Sequence, residues 1–163
     1  IQSLSKRKVG ALIVISQNSD LTDVIRTGTT VDAVISAMLL ENIFEPNTPL
    51  HDGAMIVKEN RVVAAGCFLP LSDNILIDRK LGTRHRAALG MSERSDAIII
   101  VVSEETGVIS YAKEGNLHRY LDSRALRELL EQIYSQPQKP GSRLKDNIMR
   151  HIRQAKAGEK NER

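Results

Sequence analysis

The segment LGTRHRAALG combines residue types that bind phosphate, and it places Arg84, His85 and Arg86 in a row. Inside a helix these three side chains would point about 100° apart, so they could not form a single stripe. At a helix N-terminus the free backbone N–H groups favour an anion, and Thr83 is a good N-cap residue. Two arginines in a first turn oppose the helix macrodipole unless they meet an anion. The segment therefore favours an anion site over an exposed basic helix end with nothing bound. Gly82, which precedes Thr83, would let a phosphate approach.

The segment PNTPLHDGAMIV offers ligands for a divalent metal ion. His51 and Asp52 lie between a proline-punctuated loop and a predicted strand. An imidazole beside a carboxylate can hold Mn²⁺ or Mg²⁺, and Asp52 could instead act as a general base. Gly53 would then allow a substrate to approach the backbone closely. The alternative is that His51-Asp52-Gly53 is only the turn that enters the strand, because Asp and Gly are turn formers.

The segment VVSEETGVIS places polar side chains directly after the apolar run AIIIVV. Ser103, Glu104 and Glu105 follow this run, and Thr106-Gly107 comes next. In α/β sheets, ligand sites tend to lie at the C-terminal ends of strands. The functional interpretation is that the serine bonds to phosphate and a glutamate binds a metal. The alternative is an ordinary turn with solvated carboxylates.

Composition narrows the classes of protein that this sequence could represent. Aromatic residues make up only 3% of its 163 residues, with no Trp, which argues against a stacking platform for single-stranded nucleic acid. The net charge of +3 arises in the segment 139–163, which has eight Lys or Arg against three Asp or Glu, so the basic balance does not mark the rest as a nucleic-acid binder. Cys67 stands alone in an apolar run and is predicted to be buried. No apolar run reaches the roughly 18–20 residues of a membrane span, and neither standard phosphate-loop motif is present.

Hydropathy patterning predicts a single α/β domain with a central mixed β-sheet flanked by helices. The predicted strands are GALIVI, AMIVK and RVVAAGCFLP as a hairpin around Glu59-Asn60, DAIIIVVS, and GVISYAK and NLHRYL as a hairpin around Glu114-Gly115-Asn116. The predicted helices are TTVDAVISAMLLENIFE, a segment from about Thr83 that ends near Gly90 and Ser95, and SRALRELLEQIY with Ala125, Leu126, Leu129, Leu130 and Ile133 on its core side. In the first of these helices, Thr29 with Asp32 has the spacing of a capping box, and Val31, Val34, Ile35, Met38, Leu39 and Ile43 fall on one face. The linker QPQKPGS then leads into a basic C-terminal helix or tail, residues 136–163.

The three polar segments occur together and in order, as DGA at 52–54, GTRHRAA at 82–88 and SEETG at 103–107. This combination resembles the diadenylate cyclase (DAC) domain family, whose signature motifs are DGA and RHR. The resemblance extends from about Gly10 to Tyr134 and is closest to the membrane-anchored CdaA/DacA type of Gram-positive bacteria. The flanking NTPLHDGAMIV and RVVAAGCFLPLS also match. The resemblance implies that residues 1–9 end a linker helix and that residues 10–135 form the catalytic domain, with the DAC fold.

The activity that this resemblance implies is the condensation of two ATP into cyclic di-AMP and two pyrophosphates. A divalent ion, Mn²⁺ or Mg²⁺ and possibly Co²⁺, would assist this nucleotidyl transfer. In these roles Asp52 activates the ribose 3′-OH, and His51, Asp52 and Glu105 hold the metal. The catalytic set would be Asp52, Arg84, His85 and Arg86. The ATP-binding set would be Gly53, Leu69, Thr83, Arg84, His85, Arg86 and Ser103, with the backbone of Leu69 near adenine.

The resemblance also implies partners and a location. A face-to-face homodimer would align one ATP from each subunit, because the product has two equivalent linkages. The full-length protein would lie at the cytoplasmic face of the cell membrane, with its anchor absent from this chain, which as a fragment would be soluble. Its protein partners would be a membrane-bound regulator and phosphoglucosamine mutase, and nucleic acid would not be a partner. Two alternatives stay open: a nucleotide- or anion-binding regulatory module without turnover, and a nucleic-acid-binding domain that uses the basic tail.

Overall fold

A mixed β-sheet forms the centre of the computed structural model, which describes residues 1–74 and 81–135. Its strands are β1 (Ala11–Ile15), β2 (Thr29–Val34), β3 (Ala54–Lys58), β4 (Arg61–Cys67), β5 (Ile98–Val102), β6 (Ile109–Lys113) and β7 (Asn116–His118). The helices are α1 (Gln2–Lys6), α2 (Thr22–Ile25), α3 (Ala37–Ile43), α4 (Thr83–Arg94) and α5 (Ser123–Ser135). Within the described ranges, the sheet order is β2-β4-β3-β1-β5-β6-β7. Strands β1 and β3 are parallel and every other neighbouring pair is antiparallel, so the predicted mixed sheet is confirmed.

The two central strands, β1 and β5, are buried along their whole length. Their runs of Ile and Val suit strands that are covered on both faces. Helix α4 packs across the sheet, and the apolar core beneath it includes Ala87, Ala88 and Met91 from the helix with Leu12 and Ile99 from the strands. The small side chains at Ala87 and Ala88 let the first half of α4 lie close to the sheet. This packing fixes the position of the helix that carries the RHR segment.

The chain forms two compact units, Ile1–Ala125 and Leu126–Arg163. The first unit contains the whole sheet and helices α1 to α4. Of the apolar residues predicted on the core side of α5, Leu126 is buried, Leu129, Leu130 and Ile133 are half-buried and Ala125 is exposed. The predicted basic tail, 136–163, lies outside the described residues. None of the helices in the described ranges is long and apolar enough to cross a membrane.

The predicted helix over TTVDAVISAMLLENIFE is wrong in its first half. Residues 29–34 form strand β2, which pairs antiparallel with β4 at the edge of the sheet. The β-branched residues there favour a strand, and edge pairing decides the outcome over the helical spacing. The helix begins only after Ser36, whose Oγ accepts a hydrogen bond from Leu39 N at 3.2 Å. The predicted apolar face therefore does not exist: Ile43 is buried, Val34 and Met38 are exposed, and Val31, Ile35 and Leu39 are half-buried.

The residues predicted to cap that helix have another role. Thr29 pairs with Ala65 of β4 in the sheet. Asp32 takes a left-handed conformation, with φ of 46°, at an irregularity in the pairing of β2 with β4. Its carboxylate accepts a hydrogen bond from Arg61 Nε at 2.9 Å. Thr29 and Asp32 therefore have the spacing of a capping box but do not cap a helix. Asp32 instead forms an ion pair with Arg61 on the neighbouring strand.

Both predicted hairpins are confirmed. Glu59 and Asn60 join β3 to β4, and both residues have positive φ, as a type I′ turn requires. Glu114 and Gly115 join β6 to β7 in the same way. Cys67 is buried as predicted, and burial raises the pKa of its thiol.

Asp96 fastens the start of the loop after β1 to the end of α4. Its carboxylate accepts hydrogen bonds from the backbone N–H of Asn18 at 3.1 Å and of Ser19 at 2.9 Å, and from the Asn18 side chain at 3.0 Å. Partial burial alone would raise the pKa of Asp96, but these hydrogen bonds outweigh it and hold the pKa at about 2. The ionised carboxylate thus stabilises the fold at neutral pH.

We expect Asp96→Asn to lower the free energy of unfolding by about 1 kcal/mol at pH 7, a value reduced for the partial exposure of the site. Because the folded pKa lies below the unfolded one, this contribution is present above about pH 4 and is lost as the pH falls towards 2. Urea unfolding at pH 7 and at pH 3 measures the difference between Asp96→Asn and the unchanged protein. Asp23→Asn, at an exposed carboxylate, is the control. An Asp96 difference that does not shrink at pH 3 would contradict this account.

Candidate active site

The first turn of α4 lies between two pockets. One, which we call the polar pocket, is lined by Leu81, Gly82, Thr83, Arg84, His85, Val102, Ser103, Glu104, Glu105, Thr106 and Arg119. The other, which we call the apolar pocket, is lined by Leu12, Asp52, Gly53, Cys67, Phe68, Leu69, Leu71, Thr83, Arg84 and Ala87. Only Thr83 and Arg84 line both pockets. The fold therefore brings residues from all three polar segments to one helix N-terminus.

The N-terminus of α4 has no side-chain cap. Gly82 is the N-cap residue, so the prediction that Thr83 would be the cap is wrong by one position. The carbonyl of Gly82 accepts hydrogen bonds from His85 N at 3.1 Å and Arg86 N at 3.3 Å. The first turn has no acidic residue, and a Cβ placed on Gly82 would meet no atom of the described residues within 4 Å. An anion can thus reach the free N–H groups of this turn, as the sequence predicts.

Arg84 is held by Glu104 across the polar pocket. The two side chains form an ion pair of 2.5 Å, with Arg84 22% exposed and Glu104 63% exposed. Gly10 lies directly beneath the pair, because a Cβ there would stand 2.7 Å from Arg84 Nη1 and 2.9 Å from Glu104 Oε2. Neither Gly10 nor this ion pair was predicted from the sequence. The available signal was the position of Gly10 immediately before a buried strand.

His85 is buried in the wall of the polar pocket, with 6% of its surface exposed. Its Nε2 has no hydrogen-bond partner among residues 1–74 and 81–135. Burial lowers the pKa of His85, the charge of Arg119 lowers it further, and Glu105 opposes the shift. The ring is therefore neutral at pH 7, and it offers a ligand one hydrogen bond and no positive charge.

Arg86 points away from both pockets. It is exposed, and its guanidinium donates to the carbonyl of Ser72 at 3.4 Å, while Ser72 N donates to the carbonyl of Arg86 at 3.0 Å. The structure thus brings Arg84 and His85 to the polar pocket and turns Arg86 towards the loop after β4. Of the two arginines that the sequence predicts at the site, Arg84 lines the pockets and Arg86 does not.

Asp52 and Gly53 line the apolar pocket, and Asp52 is exposed there. Gly53 has φ of 106°, and a Cβ at this position would stand 2.8 Å from the carbonyl oxygen of Cys67. A larger residue at position 53 would clash with the backbone of β4, so the fold itself requires a glycine here, whether or not a substrate approaches this position. His51 lines neither pocket, and its Nδ1 lies 2.5 Å from the carbonyl oxygen of Thr48. If Nδ1 carries the proton, Nε2 keeps a lone pair that can bind a metal.

The three predicted metal ligands do not converge within this chain. Asp52 lines the apolar pocket, whereas Glu105 lines the polar pocket. In residues 1–74 and 81–135, no three His, Cys, Asp or Glu side chains are grouped so that they could hold a metal ion. Mg²⁺ in phosphoryl-transfer sites is commonly held by one or two carboxylates together with substrate phosphates. Asp52 and His51 can supply two ligands in such a site, with substrate phosphates as the others. The described residues do not supply a complete set of protein ligands.

The remaining predicted residues are placed as follows. Ser103 lines the polar pocket, and Leu69 lines the apolar pocket. The polar pocket also contains Thr106 and Arg119, which were not predicted as site residues. The apolar pocket likewise contains Phe68, Leu71 and Ala87. Phe68 and Leu71 are 69% and 44% exposed, so this wall presents a patch of apolar surface to a ligand.

The wall of the apolar pocket rests on Gly90. This glycine was predicted near the end of its helix, but it lies inside α4 and is buried. A Cβ added to it would collide with the backbone of Pro70, Leu71 and Ser72. Ser72 Oγ also donates a hydrogen bond of 2.5 Å to Glu93 on the same helix. The loop that carries Leu69 and Leu71 is therefore fixed to α4.

We expect Gly90→Ala to lower the free energy of unfolding by about 2 kcal/mol, because overpacking against backbone outweighs the gain in helix propensity. Gly82→Ala, in open space at the other end of the helix, is the matched control and should cost no more than about 1 kcal/mol. Urea unfolding at pH 7 measures both. A Gly90→Ala protein as stable as the Gly82→Ala protein would contradict the packing described.

Comparison with known proteins gives the family. The profile of the family described as "DAC: DisA bacterial checkpoint controller nucleotide-binding" matches residues 1–117. The chain belongs to the DAC family. A curated DAC relative, the cyclic di-AMP synthase CdaA of Bacillus subtilis, is 53% identical over 131 residues, which are 80% of this chain and 48% of the relative. A diadenylate cyclase of Listeria monocytogenes is 52% identical over 129 residues, 79% of this chain and 47% of the relative.

Two solved structures share this fold. A double mutant of DacA from Staphylococcus aureus superposes with a TM-score of 0.79 at 50% identity, covering 80% of this chain and 87% of that chain. A protein of Bacillus cereus described as a hypothetical membrane spanning protein gives a TM-score of 0.72 at 55% identity, covering 74% of this chain and 59% of that one. The predicted DAC fold is thus confirmed. The matched part of the chain spans about half the length of the Bacillus subtilis and Listeria monocytogenes relatives.

Proposed function

We propose that this domain is a diadenylate cyclase, which condenses two ATP into cyclic di-AMP and two pyrophosphates. The observation that carries the proposal is the position of Arg84, at an uncapped helix N-terminus that separates a polar pocket from an apolar pocket containing Asp52. A nucleoside and its triphosphate need neighbouring sites of these two kinds. Relatives about half identical to this chain, named cyclic di-AMP synthase and diadenylate cyclase, support the same reaction.

The two pockets suggest how ATP lies in the site. The base fits the apolar pocket, where Leu69 and Phe68 contribute apolar surface. The phosphates then pass over Thr83 and Arg84, the residues shared by both pockets, and enter the polar pocket. There Ser103 and the neutral ring of His85 offer hydrogen bonds. This order places the α-phosphate near the free N–H groups of α4 and the guanidinium of Arg84.

The reaction transfers an adenylyl group from each ATP to the other. The 3′-oxygen of one ATP forms a bond to the α-phosphorus of the second, and the bond from that phosphorus to the bridging oxygen of pyrophosphate breaks. The leaving pyrophosphate takes the electron pair, and the proton of the 3′-OH passes to the carboxylate of Asp52. Arg84 offsets the charge that develops on the α-phosphate. A second transfer, in which the 3′-oxygen of the second nucleotide attacks the α-phosphorus of the first, closes the ring and releases the second pyrophosphate.

A divalent metal ion, when bound, would supply further charge neutralisation at the phosphates. Asp52 and His51 are the residues of this chain that fit it, with phosphate oxygens as the other ligands. Glu105 faces the polar pocket and there opposes the fall in the pKa of His85. Mn²⁺ and Mg²⁺ both accept such oxygen-rich sites, and Co²⁺ is a further candidate.

We propose that the active form is a symmetric homodimer. One protomer has one Asp52 and one Arg84, whereas the product has two equivalent linkages, so two sites must face each other. Sedimentation velocity combined with a cyclase assay over a range of protein concentrations tests this. Activity should follow the dimer fraction, and full activity of a strictly monomeric population would refute the dimer.

The proposal extends to the setting of the reaction. The solved relative from Bacillus cereus described as membrane spanning supports a role for this domain at the cytoplasmic face of the cell membrane. The regulator and the mutase implied by the family resemblance would then be partners of the longer protein. Pull-down of phosphoglucosamine mutase by residues 1–163 tests whether this domain is itself the partner, and failure to bind would remove that part of the proposal.

A further inference from the structure

The polar pocket contains a second cation, Arg119, which directly follows strand β7. Its side chain lines the polar pocket and does not line the apolar one. Arg84 is already engaged by Glu104, whereas Arg119 forms no ion pair with any residue in the ranges that the structure describes. Its charge reaches the pocket, because it lowers the pKa of His85 after the larger effect of burial. Arg119 is thus a cation of this pocket that is available to an anion.

The residue that follows Arg119 has a strained backbone. Tyr120 has φ of 63°, a left-handed conformation that is uncommon for an aromatic residue, and its side chain is 72% exposed. The hydrogen bond from Leu121 N to the carbonyl of Ile109, 2.9 Å long, fixes the chain beyond it. The guanidinium carbon of Arg119 lies 5.0 Å from the centroid of the Tyr120 ring, within the range of a cation–π interaction. The ring therefore limits the freedom of the arginine side chain.

Other groups that line the polar pocket with Arg119 can donate hydrogen bonds to an anion. The hydroxyl oxygen of Ser103 accepts from Thr106 N at 3.3 Å, and that of Thr106 accepts from Val108 N at 3.2 Å. Each hydroxyl keeps its hydrogen to donate to an anion in the pocket. Nε2 of His85, in the wall of the same pocket, is buried and has no hydrogen-bond partner in the part of the chain that the structure describes. A buried polar atom without a partner is costly, so this pocket is built to be filled.

The order of the two pockets identifies the anion. A nucleotide with its base in the apolar pocket passes its α-phosphate over Thr83 and Arg84, so the polar pocket receives the phosphates farthest from the base. We propose that Arg119 binds the β- and γ-phosphates of ATP, the part that leaves as pyrophosphate, and that Tyr120 positions its guanidinium. This proposal rests on the proposed cyclase function. Arg119 would be a substrate-binding residue of the site and Tyr120 a positioning residue.

The test compares a triphosphate with a monophosphate. Calorimetry would measure the dissociation constants of 3′-deoxy-ATP and 3′-deoxy-AMP, which lack the attacking hydroxyl and therefore bind without turnover. We expect Arg119→Ala to weaken 3′-deoxy-ATP binding about tenfold or more and to leave 3′-deoxy-AMP binding unchanged, because a charge-assisted hydrogen bond is lost only from the terminal phosphates. Arg94→Ala, which removes an exposed arginine at the opposite end of α4, is the control.

Tyr120 is tested by two variants. Asn tolerates the left-handed backbone, so Tyr120→Asn removes the ring and keeps the turn. We expect it to weaken 3′-deoxy-ATP binding by about threefold, a loss typical of a cation–π contact at an exposed site, and Tyr120→Phe to restore it. Equal binding by Tyr120→Asn and the unchanged protein would overturn the positioning role.

The outcomes separate this inference from the cyclase proposal. Arg119→Ala that weakens both analogues equally, or neither, would overturn the assignment of Arg119 to the terminal phosphates. If the unchanged protein makes no cyclic di-AMP from ATP but Arg119→Ala still discriminates between the analogues, the cyclase proposal fails and the phosphate assignment stands. Normal cyclase activity together with an unchanged affinity of Arg119→Ala for 3′-deoxy-ATP supports the cyclase and refutes the role of Arg119.

Discussion

Asp52→Asn should lower the rate of cyclic di-AMP formation by at least about a hundredfold, the lower range for loss of a general base. Asn has nearly the shape of Asp, but its amide cannot take the proton of the 3′-OH. Asp52 is exposed at the edge of the apolar pocket, so the fold should be unaffected. The measurement is the initial rate of product formation from ATP with Mn²⁺, together with the dissociation constant of ATP.

The control for Asp52→Asn is Asp32→Asn, at an exposed carboxylate on the edge strand β2 that lines neither pocket. It should leave the rate within about twofold of the unchanged protein, since it lies outside the site. Retained ATP binding without product by Asp52→Asn would assign the residue to catalysis. Loss of binding and product together would make Asp52 a binding element, as in a regulatory module without turnover. A rate close to normal would contradict the mechanism.

Arg84→Ala should lower the rate by about a hundredfold to a thousandfold, as for the loss of one donor that stabilises transition-state charge. Arg84 is the only charged residue that lines both pockets in the described ranges, so its removal affects the α-phosphate directly. The variant also leaves the carboxylate of Glu104 without its partner beside the triphosphate. Arg84→Lys should recover only part of the rate, since an ammonium lacks the planar fork of a guanidinium.

The matched comparison for Arg84→Ala lies two residues further along the same helix. Arg86→Ala removes an identical side chain, but one that lines neither pocket and contacts the carbonyl of Ser72. The rate should therefore fall less for Arg86→Ala than for Arg84→Ala, by a factor of about ten or more. Steady-state rates at saturating ATP measure both. Equal losses would contradict this placement of Arg86 and show that its side chain contacts the substrate.

Much of the fold could be predicted because local chemistry agrees with it. The Ile- and Val-rich runs form the buried strands β1 and β5, and Glu59-Asn60 forms the predicted turn. The helix predicted over residues 29–45 was wrong in its first half because the apolar residues there happen to follow helical spacing. The partner that makes residues 29–34 a strand is β4, which lies about 30 residues further along the chain. Local sequence does not contain that pairing.

The candidate site was predictable in its motifs and not in its surroundings. Asp52, Arg84 and Ser103 stand in recognisable segments, but Gly10 joins the site only because β1 lies beside β5 with Ala11 opposite Val102. Arg119 joins it because β7 pairs with β6, and β6 pairs with β5, whose end at Val102 lines the polar pocket. The direction of Arg86 depends on the loop that packs on Gly90. These contacts follow from strand order and helix packing, which a single sequence does not specify.

The most direct test of the proposed cyclase is to incubate the protein with ATP and Mn²⁺ and to determine the products by mass spectrometry. The proposal predicts cyclic di-AMP and pyrophosphate, with one pyrophosphate released for each ATP consumed. Reactions without protein and with Asp52→Asn provide the background. A product mixture that contains only ADP or AMP, with no cyclic dinucleotide, would contradict the proposed function.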